Sequence, residues 1–260
     1  MPDMTSARRV SRMYVKNDTL TVRKRLHYLY SVNPYGWANW VFDQYAFHDG
    51  IRVLELACGT ASMWQNRERS LPDRYQVILS DISPLMVKKA GDLLSGCAGF
   101  SFKEIDIQSI PYENGAFDMV IANHMLYHVP DQERALTEVR RVLRPGGRFY
   151  CATLGKNSLR ELHAIYRKLE GKASFSYSEN VSFTLENGYD LLRRHFPRIE
   201  RKEYIDALEV TNIDDLIAYI QSYNEVSKTV QDELRHLIRS GFSADGAFHI
   251  RKEQGLFICE

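Results

Sequence analysis

The chain has 260 residues, of which 44% are hydrophobic and 26% are charged, and its formal net charge is +1. These values are typical of a globular protein with one large α/β domain, and they give no general attraction to nucleic acid or to an anionic membrane. The four cysteines are scattered, no secretory signal is evident, and no apolar run is long enough to span a bilayer. We therefore expect a cytoplasmic protein with no membrane partner, no disulfide framework and no structural zinc site.

Residues 1–50 are predicted to form a helical arm that is rich in aromatic side chains. Within it, residues 26–40 (LHYLYSVNPYGWANW) form the segment that we expect to close as a lid over a bound small molecule. Tyr30 and Trp37 are its candidate contacts, because tyrosine and tryptophan can wall an apolar pocket. The arm also carries seven basic residues, which we interpret as a solvated helix face.

From residue 51 onward, strand-like and helix-like segments alternate. Apolar runs predict buried parallel strands at 51–57, 75–82, 100–107, 117–123 and 148–154. Helical patterns separate several of them: one covers 60–71, one runs from Pro84 to Leu94, and one begins at Asp131 and ends before Pro145. This alternation predicts a doubly wound, mostly parallel, Rossmann-like sheet with right-handed crossovers.

The pattern changes after residue 154, where two helices, a strand, a long polar helical stretch and a final alternating strand are predicted. Their ranges are 157–170, 184–196, 198–210, 213–240 and 247–260. We therefore expect residues 51–260 to form one α/β domain around a seven-stranded sheet. A helical insertion at about 212–242 would precede the last strand.

The turn after the first predicted strand is a candidate ligand site, because ligands bind beyond the carboxyl ends of parallel strands. It reads ACGTA at 57–61, and its single glycine does not complete the G-x-G-x-x-G pattern of a dinucleotide site. Glu55 lies just before the turn, where a carboxylate would repel a diphosphate. A ligand with an ammonium or sulfonium charge suits this position better.

Two further acids follow the next two strands. Asp81 ends the second strand, 22 residues after Gly59, where a carboxylate typically binds ribose hydroxyls. Asp106 ends the third strand beside Ile107, so that a carboxylate could accept a hydrogen bond from an adenine amino group while an apolar side chain packs on the ring. Each acid also has a structural interpretation, as a helix cap or the start of a turn. Together, three acids at three consecutive strand ends predict a site for a cationic nucleoside.

Five segments in register carry a family resemblance: ELACGTA at 55–61, LSDI at 79–82, DI at 106–107, FDMVIANHMLYHV at 117–129 and LRPGGRF at 143–149. In this order and spacing, over about residues 50–155, the chain resembles the class I S-adenosylmethionine-dependent methyltransferases of the type 11/25 kind. Ala57 and Ala61 stand where glycine is common in that family.

This resemblance implies S-adenosyl-L-methionine as the cofactor. The contacts that it implies are Glu55, Ala57 and Gly59 to the methionine part, Asp81 to the ribose, Ile82, Asp106 and Ile107 around adenine, and Asn123 near the transferable methyl group. Tyr30 and Trp37 of the arm are expected to complete this set.

The acceptor side is predicted in NHMLYHV at 123–129. His128 is the first candidate for a base or an acceptor-orienting group and His124 the second, with Tyr127 between them. If the segment turns helically after the fourth strand, both histidines share one face. The alternative is that they cap a helix or contact the cofactor. We expect no metal, because no third ligand is evident.

The expected activity is methyl transfer to an oxygen or nitrogen of a small-molecule metabolite, by a monomer or homodimer. Three alternatives stay open: carbon methylation of a quinone-type ring, RNA or protein methylation with the arm as docking surface, and a catalytically silent cofactor-binding partner subunit. Base methyltransferases typically carry N/D-P-P-Y/F at the end of the fourth strand, and this chain has NHML at 123–126. Acids elsewhere balance the basic arm, so we do not expect nucleic acid as a partner.

Overall fold

The computed structural model describes residues 17–169, 181–223 and 227–260. Within these ranges, one seven-stranded sheet forms the centre of the molecule, in the order β3-β2-β1-β4-β5-β7-β6. Its strands are β1 Ile51–Leu56, β2 Tyr75–Asp81, β3 Phe100–Glu104, β4 Phe117–Ile121, β5 Leu143–Leu154, β6 Ile199–Val210 and β7 Phe248–Cys259. Neighbours from β3 to β5 pair in parallel, and β7 is antiparallel to both β5 and β6.

Helices connect most of these strands. They are α1 Asn17–Tyr30, α2 Trp37–Phe42, α3 Pro84–Leu93, α4 Gln132–Val142, α5 Arg160–Lys168, α6 Gly188–Leu192, α7 Ile213–Gln221 and α8 Lys228–Arg239. The last two form the insertion before β7, so the predicted fold class is confirmed. Among the helices of the described ranges, none has the length and apolar character needed to cross a lipid bilayer.

The central strands are buried on both faces, which is why they appear in the sequence as continuous apolar runs. Five of the six residues of β1 are buried. Leu54 belongs to one core cluster together with Leu136 of α4, whereas Val53 belongs to a second cluster with Ala90 of α3. Since side chains alternate along a strand, each face of the sheet has its own core, and the carboxyl ends of β1 to β4 meet at one edge.

The helix predicted over residues 60–71 is wrong. Turns occupy this segment, followed by one short 3-10 helix at Glu68–Ser70. Ala61 and Asn66 have φ values of 56° and 60°, in the left-handed region that interrupts a right-handed helix. Trp64 is 1% exposed and packs into the core, so the segment is fixed by burial of this indole rather than by helical hydrogen bonds.

Two predicted boundaries also differ. The Pro-Gly-Gly sequence at 145–147 was expected to lie between a helix and a strand, but it lies inside β5, which follows α4 directly. A Cβ on Gly147 would approach the Asp118 carbonyl oxygen to 3.0 Å, so glycine permits close contact with the neighbouring strand. In the stretch predicted as helical over 213–240, α7 and α8 are separate helices, and residues 224–226 lie outside the described residues.

Helix α1 packs against the insertion helix α7. The hydroxyl of Tyr30 donates to Asp215 Oδ2 at 2.6 Å, and Arg23 Nη2 donates to the carbonyl of Ser222 at 2.6 Å. Leu26 is 2% exposed and shares an apolar cluster with the insertion. Residues 1–16 of the predicted arm, with four of its seven basic residues, lie outside the described residues.

Candidate active site

A cavity of about 390 Å³ lies at the carboxyl edge of the sheet, where the turn after β1 meets the segments that follow β2, β3 and β4. It brings together most of the residues predicted from the sequence. Those that line it are Ala57, Gly59, Asp81, Ile82, Asp106, Ile107, Asn123, His124 and His128. They come from four separate strand ends, so the parallel topology itself assembles the site.

Asp81 is held at the centre of this edge and is 8% exposed. Its Oδ2 accepts from the backbone N–H of Gly59 at 3.0 Å, and its Oδ1 accepts from the backbone N–H of Ser83 at 2.9 Å. Burial raises the pKa of Asp81, and these backbone bonds oppose that shift. A carboxylate can accept about four hydrogen bonds, so Asp81 can fix the turn, cap α3 and still bind a ligand.

The turn after β1 is built from left-handed backbone. Ala57, Gly59 and Ala61 all have a φ of 56°. This conformation costs an L-residue with a Cβ roughly 1–2 kcal/mol, which explains why glycine is common at both alanine positions. A Cβ on Gly59 would meet nothing within 4 Å, so Gly59 serves the backbone conformation of the turn and not a close approach by the protein.

Asp106 and Ile107 follow β3 and form the next part of the wall. Asp106 Oδ1 accepts from the backbone N–H of Gln108 at 2.9 Å and from its side-chain Nε2 at 3.1 Å, which makes a tight turn. Ile107 is 4% exposed and lines the cavity with its apolar side chain. Asp106 therefore begins a turn, as one of its two interpretations predicted, and it also lies in the cavity wall.

Asn123 follows β4. Its Nδ2 donates to the hydroxyl of Tyr45 at 2.7 Å and lies 3.8 Å from the sulfur of Met63. Its Oδ1 is buried and has no hydrogen-bond partner among the described residues. An unpaired buried carbonyl oxygen in a cavity wall is a ready acceptor for a ligand N–H or O–H group.

His124 occupies a strained position in the cavity wall. Its φ is 52°, its backbone N–H donates to the carbonyl of Ala152 at 2.9 Å, and its ring centroid lies 5.2 Å from that of Trp37. Burial first, and the charge of Lys252 second, lower the pKa of His124 to about 4. The imidazole is therefore uncharged near pH 7, but its pKa lies too far below that pH for an efficient general base.

His128 ends a 3-10 turn, Leu126–His128, and also lines the cavity. Its ring contacts the ring of Tyr127 edge to face, with 4.5 Å between the centroids. Burial lowers the pKa of His128. Both histidines line one cavity, but not through a shared helical face, because the 3-10 turn covers only Leu126–His128 and His124 precedes it with a φ of 52°. Tyr127 contacts His128 from outside the lining.

Glu55 lies in a different place from the one expected. It is 4% exposed, does not line the cavity, and accepts a hydrogen bond of 2.5 Å from the indole Nε1 of Trp64. Side chains alternate along β1, so Glu55 points to the same face as Ile51 and Val53, into the core beneath the turn. Burial first, with a smaller contribution from the charge of Asp81, raises the pKa of Glu55 to about 7.

The two predicted arm contacts also lie outside the cavity lining, in the part of the chain that the structure describes. Tyr30 binds Asp215 of the insertion. Trp37, at the start of α2, contacts His124 and stacks with Trp40 at a centroid distance of 5.4 Å. Trp37 therefore borders the site behind His124, whereas Tyr30 fixes the arm to α7.

The lining residues that the sequence-based prediction did not single out include Lys24, Met86 and Gln108. Lys24 Nζ donates to Ser62 Oγ at 2.9 Å and to Thr60 Oγ1 at 3.4 Å, which connects α1 to the turn after β1. Nothing local in the sequence distinguishes Lys24 from the other basic residues of the arm, because this contact depends on how α1 docks. Gln108 follows Asp106 closely and could have been found from its place after a strand end.

A family model described as a methyltransferase domain matches residues 54–151, which contain the turn and all four strand ends. This part of the chain is therefore a methyltransferase domain, in agreement with the resemblance to the class I S-adenosylmethionine-dependent methyltransferases. It is 33% identical over 130 residues to the ubiquinone/menaquinone biosynthesis C-methyltransferase UbiE of Teredinibacter turnerae, a match that covers 48% of this chain and 52% of that protein. The chain spans about half the length of the curated relatives that it matches first.

Several solved structures share the fold over most of this chain. The [4+2]-cyclase SpnF has a TM-score of 0.62 at 18% identity, covering 98% of this chain and 97% of its own. A phosphoethanolamine N-methyltransferase of Haemonchus contortus, in complex with phosphomonomethylethanolamine and S-adenosylhomocysteine, also has a TM-score of 0.62, at 17% identity, covering all of this chain and 61% of its own. These TM-scores establish the common fold.

The lining of the cavity suits S-adenosyl-L-methionine chemically. Asp81 retains acceptor capacity for ribose hydroxyls, while Ile82 and Ile107 offer apolar surface to a purine ring. The unpaired Asn123 Oδ1 is an acceptor for a ligand N–H group. The cavity volume of about 390 Å³ lies within the range of small-molecule sites.

Proposed function

We propose that the protein transfers a methyl group from S-adenosylmethionine to an oxygen or nitrogen atom of a small-molecule metabolite. The observation that carries this proposal is the convergence of the Asp81 and Asp106 carboxylates with two histidines, His124 and His128, on one cavity. Burial lowers the pKa of both imidazoles. The carboxylates suit the nucleoside of the cofactor, and the histidines suit an acceptor that must lose a proton.

Each wall of the cavity would have its own task. Asp81 would bind the ribose, Ile82, Asp106 and Ile107 would surround adenine, and the left-handed turn around Gly59 would give the methionine part access to the backbone. When bound, the cofactor supplies an electrophilic methyl group on a positively charged sulfur. The protein then has to orient the acceptor and exclude water, so an elaborate catalytic apparatus is unnecessary.

His128 is the group that we propose to accept or orient the acceptor's proton. It lines the cavity, and burial favours its neutral form. Tyr127 would act as a positioning residue, because its ring packs on the imidazole. His124 would shape the wall and keep it uncharged, since its pKa of about 4 leaves it a weak base.

Carbon methylation of a quinone-type ring is the second candidate. The relative from Teredinibacter turnerae is named as a C-methyltransferase of ubiquinone and menaquinone biosynthesis. A ring hydroxyl that loses its proton activates the neighbouring ring carbon, so the same histidine would serve both reactions. Nuclear magnetic resonance of a product labelled with a ¹³C methyl group separates carbon from oxygen or nitrogen attachment.

Two other classes remain testable alternatives. The fold is shared with a [4+2]-cyclase, so the sheet alone does not fix the reaction. A silent partner subunit would bind the cofactor without turnover, and an RNA-modifying enzyme would bind RNA with a steep salt dependence. Oligomeric state, as a monomer or homodimer, is read from the same purified protein by light scattering.

The cofactor assignment predicts that Asp81→Ala weakens S-adenosylmethionine binding by about 1.5–3 kcal/mol, the typical loss for a hydrogen bond involving a charged group. Calorimetric titration with S-adenosylmethionine, S-adenosylhomocysteine and NAD in parallel measures this. Asp92→Ala is the matched control, because Asp92 is exposed and pairs with Lys88 away from the cavity. Unchanged affinity in Asp81→Ala would leave Asp81 as a helix cap alone, and binding of NAD alone would overturn the cofactor proposal.

The catalytic assignment predicts that His128→Ala reduces turnover about 10²-fold or more, the usual contribution of a positioned acid or base, with little change in cofactor affinity. Methyl transfer and calorimetry on the same preparation test both parts. His249→Ala serves as the control, since His249 is exposed and lies outside the cavity. A variant that keeps the full rate removes His128 from the catalytic group.

A further inference from the structure

A second cavity, of about 470 Å³, lies beyond the carboxyl end of β5. Its wall comes from α5, α7 and the segment around Thr184. Aromatic and hydroxyl-bearing side chains are prominent in it: Tyr166, Tyr219, Tyr223, His163 and Thr184. All five residues lie outside the part of the chain, 54–151, that matches the methyltransferase-domain model.

Hydrogen bonds connect the segment after β4 to the lining of the second cavity. The segment after β4 lines the cofactor cavity with His124 and His128. On its other side, Gln132 Nε2 donates both to the carbonyl of Leu126 at 2.9 Å and to Ser182 Oγ at 2.8 Å, and Ser182 lines the second cavity. Both cavities therefore open from the same carboxyl edge of the sheet, one beyond β1 to β4 and one beyond β5.

The second cavity has an aromatic wall. Tyr219 is 2% exposed, and its ring meets that of Tyr223 at a centroid distance of 5.4 Å and an angle of 64°. The guanidinium of Arg23 lies 3.5 Å from the centre of the Tyr223 ring and donates to Ser222, so α1 holds this ring in place. Such a surface favours a planar aromatic ligand, which packs edge to face or offset against tyrosine.

The charge of the cavity is balanced. Lys156 and Glu186 line it with opposite charges, and both are exposed. Its buried polar groups are the imidazole of His163 and the hydroxyls of Ser158, Tyr166, Thr184 and Tyr219. These groups hydrogen-bond a neutral hydroxyl or carbonyl well, whereas an ionic ligand in this cavity would lose its hydration without meeting a buried counter-charge.

We propose that this second cavity binds the methyl acceptor, and that the acceptor is an uncharged aromatic molecule that bears a hydroxyl group. This proposal rests on the proposed function, because it names the acceptor class of that reaction. It requires the acceptor ring to lie beyond β5 while its hydroxyl reaches past residues 124–128 into the cofactor cavity, where the oxygen would attack the methyl carbon and S-adenosylhomocysteine would leave. The small charged acceptor of the Haemonchus contortus protein is of a different chemical class.

The test uses the full chain, saturated with S-adenosylhomocysteine, and 2-naphthol as an uncharged probe whose fluorescence reports binding. Val181→Trp narrows the cavity and is expected to weaken 2-naphthol binding at least tenfold, with unchanged S-adenosylhomocysteine affinity. Val32→Trp is the matched control, because Val32 is 45% exposed and lies outside both cavities. Tyr223→Ala, at a half-exposed ring, is a second variant that should also weaken the probe tenfold.

A charged probe, 2-naphthalenesulfonate, is expected to bind at least tenfold more weakly than 2-naphthol. Equal binding of 2-naphthol by the unsubstituted protein, Val181→Trp and Tyr223→Ala would overturn the cavity assignment. A sulfonate that binds as tightly as the naphthol would overturn the uncharged class. Neither result contradicts the proposed function. The proposed function is contradicted by a different result, namely that calorimetry detects no binding of S-adenosylmethionine.

Discussion

Replacing Asp206 with alanine is expected to lower the free energy of unfolding by about 3–5 kcal/mol, the range for removing one partner of a buried ion pair. Lys252 Nζ donates to Asp206 Oδ2, and the two side chains are 7% and 1% exposed. Asp206 Oδ1 also accepts from Ser31 Oγ at 2.8 Å. The substitution therefore leaves an ammonium group buried without a counter-charge and releases the chain just after α1.

Urea unfolding at pH 7 measures this loss. Asp214→Ala is the matched control, because Asp214 is 69% exposed in its pair with Arg235 and should change stability by less than about 1 kcal/mol. Replacing both partners, as Asp206→Leu with Lys252→Met, should recover most of the loss, since no isolated charge remains. A loss below about 1 kcal/mol in Asp206→Ala would mean that water reaches Lys252 and that the ion pair is not shielded from solvent.

This ion pair also acts on the candidate active site. The charge of Lys252 contributes, after burial, to lowering the pKa of His124 to about 4 and of His27 to about 3. Lys252 therefore helps to keep the wall between arm and cavity free of additional positive charge. Through Ser31, Asp206 also anchors the end of α1 to β6, so the pair contributes to the position of that helix.

The positions of the strand ends could be predicted from the apolar runs in the sequence and from the parallel topology of the sheet. Apolar runs placed β1 to β4, and a parallel sheet brings their carboxyl ends to one edge, which is enough to bring Asp81, Asp106 and Asn123 to one cavity. The position of Glu55 could also have been predicted. It lies two residues after Val53, so strand alternation directs both side chains to the same buried face.

Other contacts depend on packing between segments that are distant in sequence. Asp206 and Lys252 are paired directly only because of the antiparallel register of β6 and β7. Likewise, the contact of Lys24 with Ser62 depends on how α1 docks beside the turn after β1. Periodicity within a segment carries no information on either register or docking. The second cavity belongs to the same class, since it forms where α5 and α7 approach the end of β5.

Glu55 should make the stability of the protein depend on pH. In the folded chain, burial raises the pKa of Glu55 from 4.5 to about 7. Between pH 4.5 and pH 7, the folded state therefore holds a proton that the unfolded state has already released. Below pH 4.5 the carboxyl is protonated in both states, and the folded chain has its full stability with respect to this group. As the pH rises through 7 this contribution is lost, up to about 3 kcal/mol at 1.36 kcal/mol for each pKa unit.

Glu55→Gln removes the titration while its side-chain oxygen can still accept from Trp64, so it resembles the protonated form. We take the difference in free energy of unfolding between the variant and the unsubstituted protein at pH 4.5 as the reference. By pH 8 this difference should shift in favour of the variant by up to about 3 kcal/mol. Urea unfolding of both proteins across this range gives a difference curve in which other titrating groups cancel. A flat curve would mean that the Glu55 carboxylate is ionised in the folded state with a pKa near 4.5. In that case the Trp64 indole would offset its burial, and the carboxylate beneath the turn would carry the full negative charge that the sequence suggested.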